Sequence, residues 1–236
     1  MEIKCDALML RATDYKDNDK LLTLFAAGRG KLIAVCRGVR KAAAKLKFAA
    51  QPFCFAEYVL VERAGRFTVT SASLHDGFYS LREDIGRFYA ASAVIELCNQ
   101  LLPEGMESDA LFLSAVRTLE RMAEGEERSP LLSFLLDAAA VAGYTLRING
   151  CLQCGGEIRG RGLFSFEQGG FYCGECPAEN CVPASESTFF ALRAAAQSEE
   201  ISDADGFKRA LRLMKEYFLR KTGCRIESLS EYIRLI

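Results

Sequence analysis

Histidine is almost missing from this chain: His75 is the only one in 236 residues. A Ser-His-Asp or Cys-His catalytic system would have to be built on it, and no nucleophile motif surrounds it. A structural or surface role is therefore the expectation for His75, and the chain reads as a non-enzyme. No G-x-x-x-x-G-K-[ST] sequence is present, which excludes ATP hydrolysis by a P-loop. No apolar run approaches the ~20 residues of a membrane-spanning helix, so no membrane association is expected. The opening MEIKCDALML has no run of signal-peptide length, and Asp6 interrupts what there is. The expected location is the cytoplasm. One further absence is local: between positions 20 and 56 there is no acidic residue at all.

That gap is filled by cations. Lys20, Arg29, Lys31, Arg37, Arg40, Lys41, Lys45 and Lys47 all fall inside it. The whole chain has a formal net charge of −1, yet residues 1–80 hold thirteen Lys and Arg against eight Asp and Glu. A basic N-terminal lobe in a neutral chain points to an anionic partner at that end. Lys and Arg neutralise phosphates and release counterions, which gives sequence-independent, salt-sensitive affinity. Single strands also need aromatic stacking platforms, and Phe48, Phe53, Phe55 and Tyr58 lie close by in sequence. The candidate phosphate-binding residues of a nucleic-acid site are Arg37, Arg40, Lys41, Lys45 and Lys47, with Lys31 next.

Cysteine is plentiful, ten in all, with five inside residues 151–181. Cys151/Cys154 and Cys173/Cys176 form two C-x-x-C pairs separated by 18 residues. Two such turns side by side close a tetrahedral sulfur site suited to Zn²⁺, and without a secretory signal clustered cysteines favour metal over disulfides. Four thiolates leave no open position, so the ion is expected to be structural. Cys181 is a fifth thiol that could replace Cys176 if the second turn is wider. Cys5, Cys36, Cys54, Cys98 and Cys224 are scattered singly and read as small buried hydrophobes.

The expected fold is α+β. Short β-branched and aromatic runs at 5–11, 21–26, 31–36, 53–61 and 67–73 are separated by turn residues, among them Asp17-Asn18-Asp19 and Ala64-Gly65. Five strands in about 75 residues point to a small closed barrel of the OB type. The segment 38–51 favours a short helix or a mobile basic loop ended by Pro52. From about position 81 the period becomes helical. Helices are expected over 85–102, 111–122, 131–141 (with Ser129-Pro130 as cap and first-turn proline), 185–196 and 205–222. In the last, Phe207, Ala210, Leu211, Met214 and Phe218 make an apolar stripe. The opposite surface carries Lys208, Arg209, Arg212, Lys215 and Arg220. The domains are therefore 1–79, a nucleic-acid-binding barrel, and 80–236, a helical domain with a zinc hairpin inserted at about 150–182.

Taken together, these pieces resemble the RecO family of bacterial recombination mediators. The matching residues are Asp14-Tyr15, Leu21-Leu22-Thr23-Leu24-Phe25, Gly30-Lys31, Ala34-Val35-Cys36-Arg37-Gly38-Val39-Arg40 and Gln51-Pro52-Phe53. Ala142-Gly143-Tyr144 and the two C-x-x-C pairs fit the zinc-bearing members. The chain departs at Ala43-Ala44, where the family often has Ser. It departs again around Phe134, where the family's third helix carries Arg. The resemblance implies a non-enzymatic protein that binds single- and double-stranded DNA and anneals complementary strands. It implies joint action with RecR to load RecA onto DNA coated with single-strand-binding protein, and contact with the C-terminal tail of that protein. Nucleoid association follows from such a role. A second reading is a protein-binding adaptor in which the helical domain docks partners and DNA contact is incidental. A third, a zinc hydrolase or nuclease, lacks ligands for an open site.

Overall fold

The computed structural model describes residues 2–236, which divide into two compact units, one running up to Ala123 and the other spanning Glu124–Ile236.

The first unit is built on five strands, β1 (Glu2–Tyr15), β2 (Asp19–Ala26), β3 (Gly30–Cys36), β4 (Phe55–Arg63) and β5 (Arg66–Asp76). They close into a barrel in the order β1-β2-β3-β5-β4, antiparallel throughout except for the β3–β5 pair. This is the five-stranded Greek-key barrel expected from the sequence. Small inward residues, Ala7, Ala34, Cys36, Ala56 and Cys54, leave room for the fully buried Tyr58. Its hydroxyl donates to the Ala49 carbonyl at 2.9 Å and lies 3.7 Å from the Cys54 sulfur. Burial raises the Tyr58 pKa, so the phenol stays neutral.

β1 is longer than its apolar run implied. Its first half pairs with β4 and its second with β2, with a register shift between Met9 and Arg11 that bends the strand across the barrel. Residues 7–10 are all buried because α1 (Ile85–Leu101) covers the outer face there. Phe112 of α2 (Asp109–Ala123) meets Phe25 and Phe55 at 5.4 and 6.1 Å, and Phe88 of α1 meets Phe53 at 5.6 Å. The α1–α2 connection is fastened to the β2–β3 turn. Gly28 N donates to Asp109 Oδ1 at 2.8 Å, and Gly105 N donates to the Lys31 carbonyl at 3.0 Å. Gly30 has φ +70°, and a Cβ there would collide with the Met106 carbonyl oxygen, so this close approach requires glycine.

The second unit combines α3 (Arg128–Val141), α4 (Glu186–Ala196), α5 (Ala204–Thr222) and α6 (Glu227–Leu235) with a four-stranded sheet. The sheet order is β6 (Arg147–Cys151), β8 (Gly170–Tyr172), β7 (Arg161–Ser165), β9 (Val182–Ser185). The expected hairpin is its antiparallel β7–β8 pair, and β6 and β9 extend it on both sides. Asp203 caps α5, accepting from Gly206 N at 3.0 Å, and Gly223 ends it in the left-handed region. The buried face of α5 contains the whole apolar stripe read from the sequence. Two details differ from expectation. α3 starts at Arg128, so Ser129 lies inside the first turn with its hydroxyl buried and without a partner rather than capping. α6, which the periodicity reading missed, buries Leu229, Tyr232 and Ile233 at helical spacing.

Candidate nucleic-acid interface and metal centre

The acid-free segment between β3 and β4 is neither a helix nor an unstructured loop. It is a run of consecutive turns closed by three-residue hydrogen bonds: Lys41 N to Gly38 O, Ala44 N to Lys41 O, Lys47 N to Ala44 O, Ala49 N to Leu46 O. Residues 48–50 form a single 3₁₀ turn. Gly38, at φ +65°, turns the chain out of β3, and Gln51-Pro52 leads it out of the turns. Val39, Leu46, Phe48, Ala49 and Ala50 pack against the barrel core at short intervals. These anchors hold the backbone to the barrel surface and override the helical preference of Ala, Lys and Leu.

Between the anchors the cations point outward. Arg37, Arg40, Lys41, Lys45 and Lys47 are all exposed. Arg37, Lys41, Lys45 and Lys47 have no ion-pair partner among the described residues. Arg40 does: its guanidinium lies 3.4 Å from Asp14, which also faces Lys20 at 3.7 Å. The turns are tied to the β1–β2 tip by two of their backbone N–H groups. Gly38 N donates to Asp19 Oδ1 at 2.8 Å, and Arg40 N donates to the Asn18 carbonyl at 3.0 Å. Lys31 sits apart from the other five, with its half-buried ammonium on the Asn99 carbonyl of α1 at 2.8 Å. It fastens a helix end rather than lying open.

The four aromatic residues near this segment are committed elsewhere. Phe53 and Tyr58 are buried, Phe48 packs on the barrel core, and Phe55 lies between Phe112 and the His75 ring, 4.9 Å away. His75 Nε2 is 2.7 Å from Asp6 Oδ1. The sequence placed Asp14 among the residues resembling the family but gave no sign that it pairs with Arg40 and Lys20.

The cysteines converge as their spacing required. The Sγ atoms of Cys151, Cys154, Cys173 and Cys176 all lie within 4.8 Å of one another, and Cys154 and Cys173 are 3.8 Å apart. Metal–sulfur bonds of ~2.3 Å in a tetrahedron give sulfur–sulfur edges of about 3.8 Å, so the cluster fits a single ion. None of the four is in a disulfide. Cys181 lies outside the cluster, its thiol on the Glu179 carbonyl at 3.2 Å, which leaves Cys176 as the fourth member. Burial opposes ionisation of Cys151, but the N–H groups of Cys154, Cys173 and Gln153 outweigh it and bring that thiol down to about 6. Hydrogen bonding with the neighbouring thiols, Cys173 first, pushes Cys176 up to about 12. The Cys151 thiolate thus opposes ionisation of Cys176, and a cation bound among the sulfurs would relieve that opposition. The chain curls tightly behind the first pair: Cys151 N donates to the Gly156 carbonyl at 2.8 Å, and a Cβ on Gly150 would meet the Gly155 oxygen at 2.6 Å.

Comparison with known proteins gives the same picture along the chain. The family model described as "Recombination protein O N terminal" matches residues 1–78, and "Recombination protein O C terminal" matches residues 82–230. The chain is 34% identical to the DNA repair protein RecO of Pelotomaculum thermopropionicum over 193 residues, 81% of this chain and 75% of that one. To the DNA repair protein RecO of Anaeromyxobacter sp. strain K it is 32% identical over 218 residues, 86% and 85% of the two chains. To that of Clostridium perfringens strain 13 it is 28% identical over 193 residues, 81% and 78%.

Proposed function

This chain belongs to the RecO family of DNA repair proteins, and from that premise we propose that it binds single- and double-stranded DNA and anneals complementary strands without catalysing a covalent step. The observation that carries this reading is the run of anchored turns offering Arg37, Arg40, Lys41, Lys45 and Lys47 to solvent with no acid in the segment itself and only Arg40 paired, to Asp14. Annealing requires two polyanions to be held close. Cations fixed along a rigid path screen their repulsion, and the stability of the product duplex then drives the step. Lys31 contributes less in this reading, because its ammonium is already engaged. The division into a barrel domain, 1–79, and a helical domain, 80–236, belongs to the proposal. The two family models support it, although compactness groups α1 and α2 with the barrel.

The ion we assign to the four cysteines is Zn²⁺, in a structural role, since thiolate donors in a closed tetrahedron suit it and leave no position for substrate. The partners in this reading are RecR, the tail of single-strand-binding protein and, through them, RecA; the site of action is the bacterial nucleoid. Among the described residues no helix is long and apolar enough to cross a membrane. One observation favours the adaptor reading for the second unit. A cleft of about 850 Å³ between α5 and α6 has Ile226 and Ile233 in its lining and Lys208, Arg212, Lys215 and Arg234 around them. That chemistry suits an acidic peptide with apolar side chains.

The test is strand annealing by the purified full chain. Acceleration of pairing between two complementary oligonucleotides in the absence of any nucleotide triphosphate supports the proposal; pairing at the protein-free rate contradicts it. Asp14 offers a test with the opposite sign. Asp14→Asn frees Arg40 and Lys20 from their shared carboxylate, so single-strand affinity should rise about two- to fivefold at low salt, the scale of exposed charge pairs. Unchanged affinity would place Arg40 and Lys20 off the strand's path.

A further inference from the structure

A basic path alone holds phosphates and ignores bases. Proteins that retain single strands add a ring on which a base can stack. Around the barrel most aromatic side chains are already occupied by others, the four near the basic turns as described above. Phe67 packs against the barrel core, and the Tyr79 ring lies over Gly77 beneath an Arg82 guanidinium that donates to the Pro52 and Gly77 carbonyls and is held there. Tyr15 is different. It ends β1 at the rim of the barrel, half-exposed, and its hydroxyl makes no hydrogen bond to a described residue.

The strand register fixes what stands beside it. Tyr15 pairs with Asp19, Thr13 with Leu21 and Arg11 with Thr23, so these residues share one face, and the buried Leu22 and Leu24 share the other. Tyr15 therefore lies on the outer face. The last β2–β3 pair is Lys20 with Cys36, and Cys36 points inward. Continuing that register one step past its last pair puts Arg37 beside Asp19 on the outer side, where Asp19 Oδ1 accepts from Gly38 N at 2.8 Å. Tyr15, Asp19 and Arg37 thus lie side by side across three strand positions. With strands ~4.8 Å apart, Tyr15 and Arg37 are about 10 Å from each other at the backbone. The stacking ring and the first free cation of the basic turns adjoin.

The ring also has a cation of its own. Lys16 has φ +54°, which breaks strand alternation and brings its ammonium to 5.3 Å from the centre of the Tyr15 ring. A base entering that face would move the flexible lysine toward the phosphates, where it adds to the same path.

We propose that Tyr15 is the base-stacking platform of this protein: a nucleobase of a single strand lies on its ring while the adjoining phosphates run along Arg37 and the basic turns. The proposal rests on the strand-binding reading above and adds to it a contact that double-stranded DNA, with its bases paired and stacked, cannot make.

The experiment compares a thymidine oligonucleotide with an abasic one of equal length, so that phosphates are matched and bases are not. The full-length wild type should bind the thymidine strand about tenfold more tightly than the abasic strand. Tyr15→Ala should lose that advantage and bind the abasic strand as the wild type does. Tyr15→Phe keeps the ring and should retain it. Because the chain contains no tryptophan, Tyr15→Trp supplies a single indole reporter. Its emission should be quenched by the thymidine strand at the concentrations where binding occurs, and unaffected by the abasic strand. Equal binding of the thymidine strand by wild type and Tyr15→Ala, or an unquenched indole at saturation, would overturn the stacking assignment while leaving the basic turns in place. If the wild type bound neither strand, the strand-binding reading itself would fall, and the assignment with it.

Discussion

Replacing Cys151 and Cys154 by serine is expected to release the metal and unfold the small sheet of the second unit. Two of four donors would be lost, and serine hydroxyls do not substitute for thiolates. The folding energy of closed zinc sites in small domains is on the order of 10 kcal/mol, comparable with the whole stability of a domain. The strands beside the metal are short, β8 with three residues and β9 with four, and the rest of their support is Phe164 and Phe171 packed on Phe189 and Tyr217. The loop from Cys151 to Gly156 keeps its shape through one backbone hydrogen bond in each direction, Cys151 N to Gly156 O and Gly155 N to Cys151 O. Metal analysis of the purified variant should fall from about one ion per chain to none, and its melting transition should move down or split. A chelator applied to the wild type should reproduce the thermal change. Metal content unchanged in the double variant would remove the assignment. Metal lost with no change in melting would mean that the ion does not support the fold.

The second large effect concerns the basic turns. In the triple variant Lys41→Ala, Lys45→Ala and Lys47→Ala, three exposed charges without ion-pair partners disappear. Leu46 and Phe48, which anchor the segment, stay in place. Surface changes of this kind move stability by only about 0.5 kcal/mol, so the melting temperature should be close to that of the wild type. Strand affinity should not be. Each phosphate neutralised on a single strand contributes ~0.7 to the salt exponent, so three lost contacts weaken binding by roughly a hundredfold at ~0.1 M salt. Annealing should slow correspondingly. An anisotropy titration showing wild-type affinity would place the strand elsewhere on the protein.

Much of this architecture could be read from residue order, and the failures share a cause. The barrel was visible because β2 to β5 alternate or are bounded by turn residues. The metal cluster was visible because C-x-x-C spacing needs no tertiary information. Where a second layer covers a strand, alternation disappears: residues 7–10 are buried on both faces by the barrel interior and α1, and β1 outran its expected length as a result. The basic segment has the composition of a helix, and only its anchoring through Val39, Leu46 and Phe48 turns it into a chain of tight turns. Lys31 counted as one more cation in the sequence, yet the fold directs it to the end of α1. The rings near the segment looked available for stacking, and packing used them. Tyr15 is separated from Arg37 by more than twenty positions, and only strand register makes them neighbours.

The central claim is that the anchored turns between β3 and β4 are where this protein neutralises phosphates. It is tested most directly by measuring single-strand affinity over a series of salt concentrations, for the wild type and the Lys41, Lys45, Lys47 triple alanine variant. With about five phosphates engaged, the wild-type plot of log affinity against log salt should have a slope of roughly −3.5. With three fewer contacts the variant should give about −1.4. Two parallel lines, whatever their offset, would contradict the account.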